Sequence, residues 1–296
     1  MNYLYYSGCS LEGSAREYDR STRACLTALG ATITEIEDWT CCGASAAEAV
    51  DRNLALALPA RNLALAEKQA GKTDLLVPCS ACYLNLKKVE TLVRKDADLL
   101  ATVNSILAAD DLQMSGRTRT RHLLDVLSRD FGPGAVASRR QRSLAGISVA
   151  PYYGCQCLRP YAVFDDPEAP QSMEPLLRAT GAAVHRWSMG GKCCGASHMN
   201  TKMDVGLQLV AAILEEARGA NAIVTVCPMC QMNLEAYQRK ISRMQNADLT
   251  VSVLYLPQLL GWALGLDENA LGLELNLALK KDFLETLRRR QSAAAA

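Results

Sequence analysis

Ten of the twelve cysteines in this 296-residue chain fall into two matched sets of five. The first set is Cys9, Cys41, Cys42, Cys79 and Cys82, and the second is Cys155, Cys193, Cys194, Cys227 and Cys230. Their spacings are C-x31-C-C-G-x35-C-x2-C and C-x37-C-C-G-x31-C-x2-C. Equivalent cysteines lie 146, 152, 152, 148 and 148 residues apart, which marks an internal duplication. The chemistry such sets can do is metal binding or thiol redox. The compartment decides between these and disulfides. The stretch Met1 to Cys9 has neither a basic n-region nor an apolar h-region, so we expect no signal peptide. No apolar run reaches the ~18 residues a membrane span needs. The expected location is therefore the reducing cytoplasm, where cysteines serve as ligands or reactive thiols rather than structural disulfides. A net charge of +1 gives no reason to expect nucleic acid as a partner.

Several centres compete for five thiols. Zinc takes four ligands in a tetrahedron. A zinc site on Cys41, Cys42, Cys79 and Cys82 leaves Cys9 idle, and its counterpart Cys155 idle in the other half. A cubane [4Fe–4S] cluster also takes four cysteines, usually with three in a compact run that is absent here. Five thiolates on four irons require at least one sulfur to bridge. The adjacent pairs Cys41-Cys42 and Cys193-Cys194 suit that role. Gly43 and Gly195, directly after them, permit close backbone approach or a positive φ. A thiol-exchange enzyme needs only one reactive CxxC. The residues alone leave zinc and iron–sulfur centres both open.

The surrounding elements must bring these thiols together. Strands are expected at 2–6, 32–36 and 74–77, each followed by one cysteine group. Helices are expected from an N-cap at Ser14 to Leu29, over 46–71 with a kink or split at Pro59, and from Tyr83 to about Lys95. The β-α-β-α-β-α order puts the cysteines beyond the carboxyl ends of parallel strands, where sites in such sheets form. Each CxxC also opens a helix, whose dipole favours thiolate. Residues 96–145 read as a helical linker, with helices at 99–107 and 120–127 and a break at Gly132-Pro133-Gly134. Its arginines (117, 119, 121, 139, 140 and 142) read as a solvated face, the alternative being a docking patch for an acidic partner. The second half repeats the first: strands near 148–153, 224–226 and 251–255, and helices at 199–218 and from 257 to about 290. The last residues, from Gln291, read as frayed or foreign. The expected class is α/β, with two similar lobes on small parallel Rossmann-like sheets related by a pseudo-twofold duplication. The lobes are assigned to 1–95 and 146–296, with 96–145 between them. Outside the frame, Cys25 reads as core. Cys157 reads as packing, with a spare ligand or redox thiol as the alternative. His198 and Lys192 flank the second Cys-Cys-Gly and can donate a proton to a departing thiolate, or serve as plain surface residues. His122 and His185 carry no signal.

This frame resembles the Cys-Cys-Gly domain family, and nearly the whole chain resembles the B subunits of heterodisulfide reductases. The likeness runs through Tyr-Tyr-Ser-Gly-Cys-Ser-Leu at 5–11, Trp-Thr-Cys-Cys-Gly-Ala-Ser at 39–45 and Tyr-Tyr-Gly-Cys at 152–155. It continues through Arg-Pro at 159–160 and Leu-Tyr-Leu-Pro-Gln-Leu-Leu-Gly at 254–261. The resemblance implies two non-cubane [4Fe–4S] clusters, one on each five-cysteine set, facing a shared cavity in which a disulfide is cleaved or formed. Its partners would be a small ferredoxin-like subunit and, feeding that one, a flavin-containing subunit. The substrate would be the coenzyme M–coenzyme B heterodisulfide, another thiol or disulfide, or a lipoate-bound sulfur species. Related subunits of lactate-, glycolate- and glycerol-phosphate-oxidising systems pass electrons without disulfide chemistry, which is the alternative function.

Overall fold

The computed structural model describes residues 1–44, 46–70 and 74–295. Ser45 of the first motif and the expected helix stop at Gly71 lie outside the described residues. Two four-stranded parallel sheets carry the chain. The first contains β1 (Asn2–Tyr5), β2 (Thr32–Glu35), β3 (Leu75–Val77) and β4 (Thr120–His122), in the order β2-β1-β3-β4. The second contains β5 (Ser148–Tyr152), β6 (Ala183–Val184), β7 (Ala222–Thr225) and β8 (Ser252–Tyr255), in the matching order β6-β5-β7-β8. The inner strands β3 and β7 are buried throughout, as helices on both faces of a parallel sheet require. The edge strand β2 alternates exposed and half-buried residues.

Residues 96–145 contribute more than helices. Thr120–His122 pairs in parallel with β3, opposite Leu75, Leu76 and Val77, where a helix was expected over 120–127. The polar triplet Thr-Arg-His gives no strand pattern in sequence. It can be buried because Arg121 is matched by Asp125 (2.7 Å), Asp130 (2.6 Å) and Asp74 (3.4 Å). Arg121 is thus no part of a solvated face. Arg142 lies 5.3 Å from the Trp262 ring and donates to the carbonyls of Gly265 and Leu266, and Arg140 donates to that of Ala179. One hydrophobic core joins the lobes, running from Tyr3, Leu26 and Val77 through Leu124 and Val136 to Val149, Leu254 and Trp262. A second cluster fills the other face of the second sheet.

Other elements shift locally. Cys9 sits in a short helix, Gly8–Glu12, that follows β1. The next helix is Arg16–Ala28, preceded by Ala15, so Ser14 is not its cap. The helical region is split at Asp51, whose carboxylate accepts the Leu54 N–H at 2.8 Å and starts the helix Arg52–Ala70, and Pro59, the expected kink or split, lies inside that helix. Gly132-Pro133-Gly134 opens a helix, Gly132–Arg139, since a first-turn proline gives up an N–H that has no partner there. The last helix is Lys281–Ala295. No helix among the described residues is long and apolar enough to cross a membrane.

Candidate metal centres

In each lobe three chain segments meet at the carboxyl ends of the strands. The first follows β1 or β5, the second carries Cys-Cys-Gly, and the third is the CxxC that opens the helix Ser80–Lys95 or Pro228–Ala236. In the first lobe Cys9 Sγ lies 3.9 Å from Cys41 Sγ, and Cys42 Sγ lies 3.3 Å from Cys82 Sγ. Cys82 also contacts Cys79. The second lobe repeats the linkage, with Cys155 against Cys193 and Cys230 against both Cys194 and Cys227. Cys9, Cys41 and Cys193 are exposed and Cys155 half-buried, whereas Cys42, Cys79, Cys82, Cys194, Cys227 and Cys230 are buried. All ten thiols of the frame are therefore gathered into two groups. The thiols contact one another in a chain in the first lobe and as Cys155–Cys193 and Cys194–Cys230–Cys227 in the second, and among the described residues no three Cys, His, Asp or Glu side chains converge on the place of a single ion.

The protein side of each group is built alike. Gly43 and Gly195 both adopt φ +73°, and their N–H groups donate to Cys41 Sγ at 3.4 Å and Cys193 Sγ at 3.3 Å. Tyr6 and Tyr152 donate their hydroxyls, each at 2.7 Å, to the carbonyls of Thr40 and Lys192, the residues directly before each Cys-Cys pair. Trp39 and Trp187 pack edge-on against those tyrosines. Gly8 and Gly154 are bare for a local reason: a Cβ there would sit 3.1 Å from Cys82 Sγ or 2.9 Å from Cys230 Sγ. Two residues that the cysteine spacing did not flag are Asn85 and Asn233. Their amides donate to the carbonyls of Cys42 (3.0 Å) and Cys194 (3.1 Å). Each stands three residues after its CxxC, so the repeat C-x2-C-x2-N was there to be read.

Protons are shared unevenly within each group. Hydrogen bonds from Cys41 and then Cys82 hold Cys42 down at about 4, while Cys41 and Cys82 are pushed up by the same contacts. In the second lobe the bond with Cys155 leads in lowering Cys193 to about 5, helped by the Gly195 N–H and the charges of His198 and Arg159. Cys227 is lowered to about 7, chiefly by Cys230. One thiolate per contact is the most such a group sustains unaided, because each negative sulfur raises its neighbours. Five thiolates together need cations among them, and the donor set therefore fits a thiophilic metal centre.

The remaining sites separate. His198 is half-buried on a 3-10 turn, Ala196–His198, near Cys193, and Lys192 is exposed. Cys25 is fully buried, and burial pushes its thiol up to about 12. Cys157 is buried and donates to the Tyr153 carbonyl at 3.3 Å, as a packing residue would. His185 meets the Glu216 carbonyl at 2.9 Å. His122, silent in sequence, is buried where the two lobes meet. A cavity of about 390 Å³ opens on the second group, lined by Cys155, Cys193, Cys194, Cys227, Cys230 and, from the first lobe, Ser80.

Duplicated parallel sheets with a thiol cluster at the carboxyl ends of each define a twin cysteine-rich protein. The chain belongs to the family described as the cysteine-rich (CCG) domain, which matches it twice, at residues 3–87 and 149–235. Two relatives match over nearly their full length. The 8-methylmenaquinol:fumarate reductase membrane anchor subunit of Wolinella succinogenes is 34% identical, over 93% of this chain and 96% of its own. The B subunit of the ferredoxin:CoB-CoM heterodisulfide reductase of Methanosarcina mazei is 29% identical, over 96% of both. A crystal structure of a hypothetical protein from Helicobacter pylori shares the fold, with a TM-score of 0.75 at 15% identity. That likeness takes in 95% of this chain, which spans about half (52%) of the solved one.

Proposed function

We propose that this chain is the iron–sulfur subunit of a cytoplasmic oxidoreductase complex. It holds one non-cubane [4Fe–4S] cluster on Cys9, Cys41, Cys42, Cys79 and Cys82, and another on Cys155, Cys193, Cys194, Cys227 and Cys230. The observation that carries this is the pair of matched five-thiol groups, each with an adjacent cysteine pair fixed by a positive-φ glycine and an asparagine. Bound there, the clusters supply one-electron steps, and two of them match the two electrons of a disulfide. The protein's own residues orient the thiols, keep six of the ten away from water, and leave a cavity beside the second group. His198 and Lys192, beside Cys193, are the proton donors in this reading. The heterodisulfide reductase relatives favour a disulfide substrate; a thiol or a lipoate-bound sulfur species is the other substrate class of this reading. Electrons are exchanged through a ferredoxin-like partner and a flavin-containing one.

A second reading rests on the Wolinella relative, whose name places it in a quinol-linked complex rather than a disulfide reductase. In that case the chain carries electrons without disulfide chemistry of its own. Metal analysis and electron paramagnetic resonance on anaerobically isolated protein test both readings. About eight irons with matching sulfide and no zinc support the clusters, at four per site. One or two zinc ions without sulfide refute them. A resonance signal perturbed by thiols or disulfides assigns the catalyst, and indifference to all of them assigns the carrier.

A further inference from the structure

The two lobes trade aromatic contacts across their seam. Tyr18 of the first stacks on Tyr255, the last residue of β8, with ring centroids 4.0 Å apart and planes at 4°. Phe164, which lies 146 residues after Tyr18, stacks on His122, the last residue of β4, at 5.9 Å and 1°. His122 and Tyr255 hold matching register positions, opposite Val77 and Thr225. The Tyr18 hydroxyl lies between the carbonyls of Pro78 (3.0 Å) and Val226 (3.1 Å), the residues directly before each CxxC. The two CxxC turns therefore approach each other across the seam.

The match fails at Ser80. Its counterpart 148 residues on is Pro228, which has no hydroxyl. Ser80 is 1% exposed, and its Oγ lies 3.1 Å from both His122 Nε2 and the Val226 carbonyl. It neighbours both the Cys227 and the Cys157 sulfurs and lines the same cavity as Cys227. The Leu124 N–H donates to His122 Nδ1 at 3.2 Å, so the neutral ring carries its proton on Nε2 and donates it to Ser80. The Ser80 proton is then free for the Val226 carbonyl, to which it donates at 3.1 Å, or for the sulfur of Cys227 or Cys157. A ligand thiolate at Cys227 is the strongest acceptor of the three.

We propose that Ser80, carried by the first lobe, is the hydrogen-bond donor that tunes the second lobe's centre, through Cys227. This rests on the cluster reading above. A hydrogen bond to a ligand sulfur stabilises the reduced, more negative state and raises the potential. Pro228 returns no such bond to Cys79, so the duplicated centres are made unequal and electrons have a preferred lobe.

The test is a redox titration followed by electron paramagnetic resonance, with each signal assigned to its lobe by Cys42→Ala and Cys194→Ala. Ser80→Ala is expected to shift the second-lobe midpoint to lower potential, with the first-lobe midpoint and the iron content unchanged. Ser80→Thr, which keeps the hydroxyl, is expected to titrate like the unaltered protein. A fully loaded Ser80→Ala protein with an unmoved second-lobe midpoint, or with only the first-lobe midpoint moved, overturns the proposal. If Ser80→Ala does not retain its irons, a lowered second-lobe midpoint in Ser80→Thr overturns it instead. A protein with no iron or sulfide refutes the cluster reading itself, and this inference with it.

Discussion

Gly195→Ala is the sharpest test of how the second thiol group is built. Gly195 has φ +73°, a conformation that costs a residue with a Cβ about 1–2 kcal/mol. A Cβ there would meet Gly206 Cα at 2.9 Å, Leu209 Cδ1 at 3.1 Å and the Gly206 carbonyl oxygen at 3.3 Å. Two of these atoms are backbone of the helix Met203–Glu216 and cannot swing aside. Overpacking of this kind adds about 1–3 kcal/mol. Gly219→Ala is the matched control, because Gly219 has φ +88° with nothing within 4 Å of its Cβ position. It incurs only the backbone cost. Thermal melts of the metal-free proteins by circular dichroism should place Gly195→Ala below Gly219→Ala by the packing cost alone, on the order of 2–4 °C for each kcal/mol. Iron should also fall in Gly195→Ala and not in the control, because the Gly195 N–H holds the Cys193 sulfur at 3.3 Å. Equal melting of the two variants would refute the claim that helix backbone fixes the Cys-Cys-Gly turn.

Cys42→Ala and Cys194→Ala should each remove about four of about eight irons and leave the other lobe's signal intact; a variant that keeps both clusters and its activity removes the five-ligand reading. Asn233→Leu leaves the buried Cys194 carbonyl without its 3.1 Å partner and should cost about 1–3 kcal/mol in urea unfolding, with Asn85→Leu doing the same in the first lobe. A stability loss below ~0.5 kcal/mol in both would show these amides to be dispensable. Burial depresses His122 from 6.5 to about 4 in the folded protein. The unfolded chain then binds the extra proton between these values, so this stabilising contribution is full above pH 6.5 and is lost as pH falls toward 4. Buried Glu235, raised to about 7, acts in the opposite sense, its contribution shrinking as pH rises from 4.5 to 7. Stability of His122→Phe relative to the parent, measured at several pH values, should therefore improve on acidification; a constant difference between the two would refute the buried neutral imidazole.

The sequence by itself carried the duplication, the ten-cysteine frame, the strand before each cysteine group except Cys193-Cys194 and the glycine after each Cys-Cys pair. These are properties of short segments and of their spacing: a thiol group ends a buried strand, and a glycine marks a backbone that a Cβ would strain. Tertiary structure decided what depends on distant partners. Thr120-Arg121-His122 reads as polar surface until Asp74, Asp125 and Asp130 surround Arg121 and let a strand form there. Arg117, Arg119, Arg139 and Arg140 are exposed as a solvated face would be, but Arg142 reads as part of that face until it finds Trp262 and the carbonyls of Gly265 and Leu266. His122 and Ser80 gain meaning only at the seam, where a residue of one lobe touches a thiol of the other. Spacing places each cysteine on its own strand end, but which groups face one another across a shared core is set by packing between segments more than a hundred residues apart, as with Ser80 and Val226.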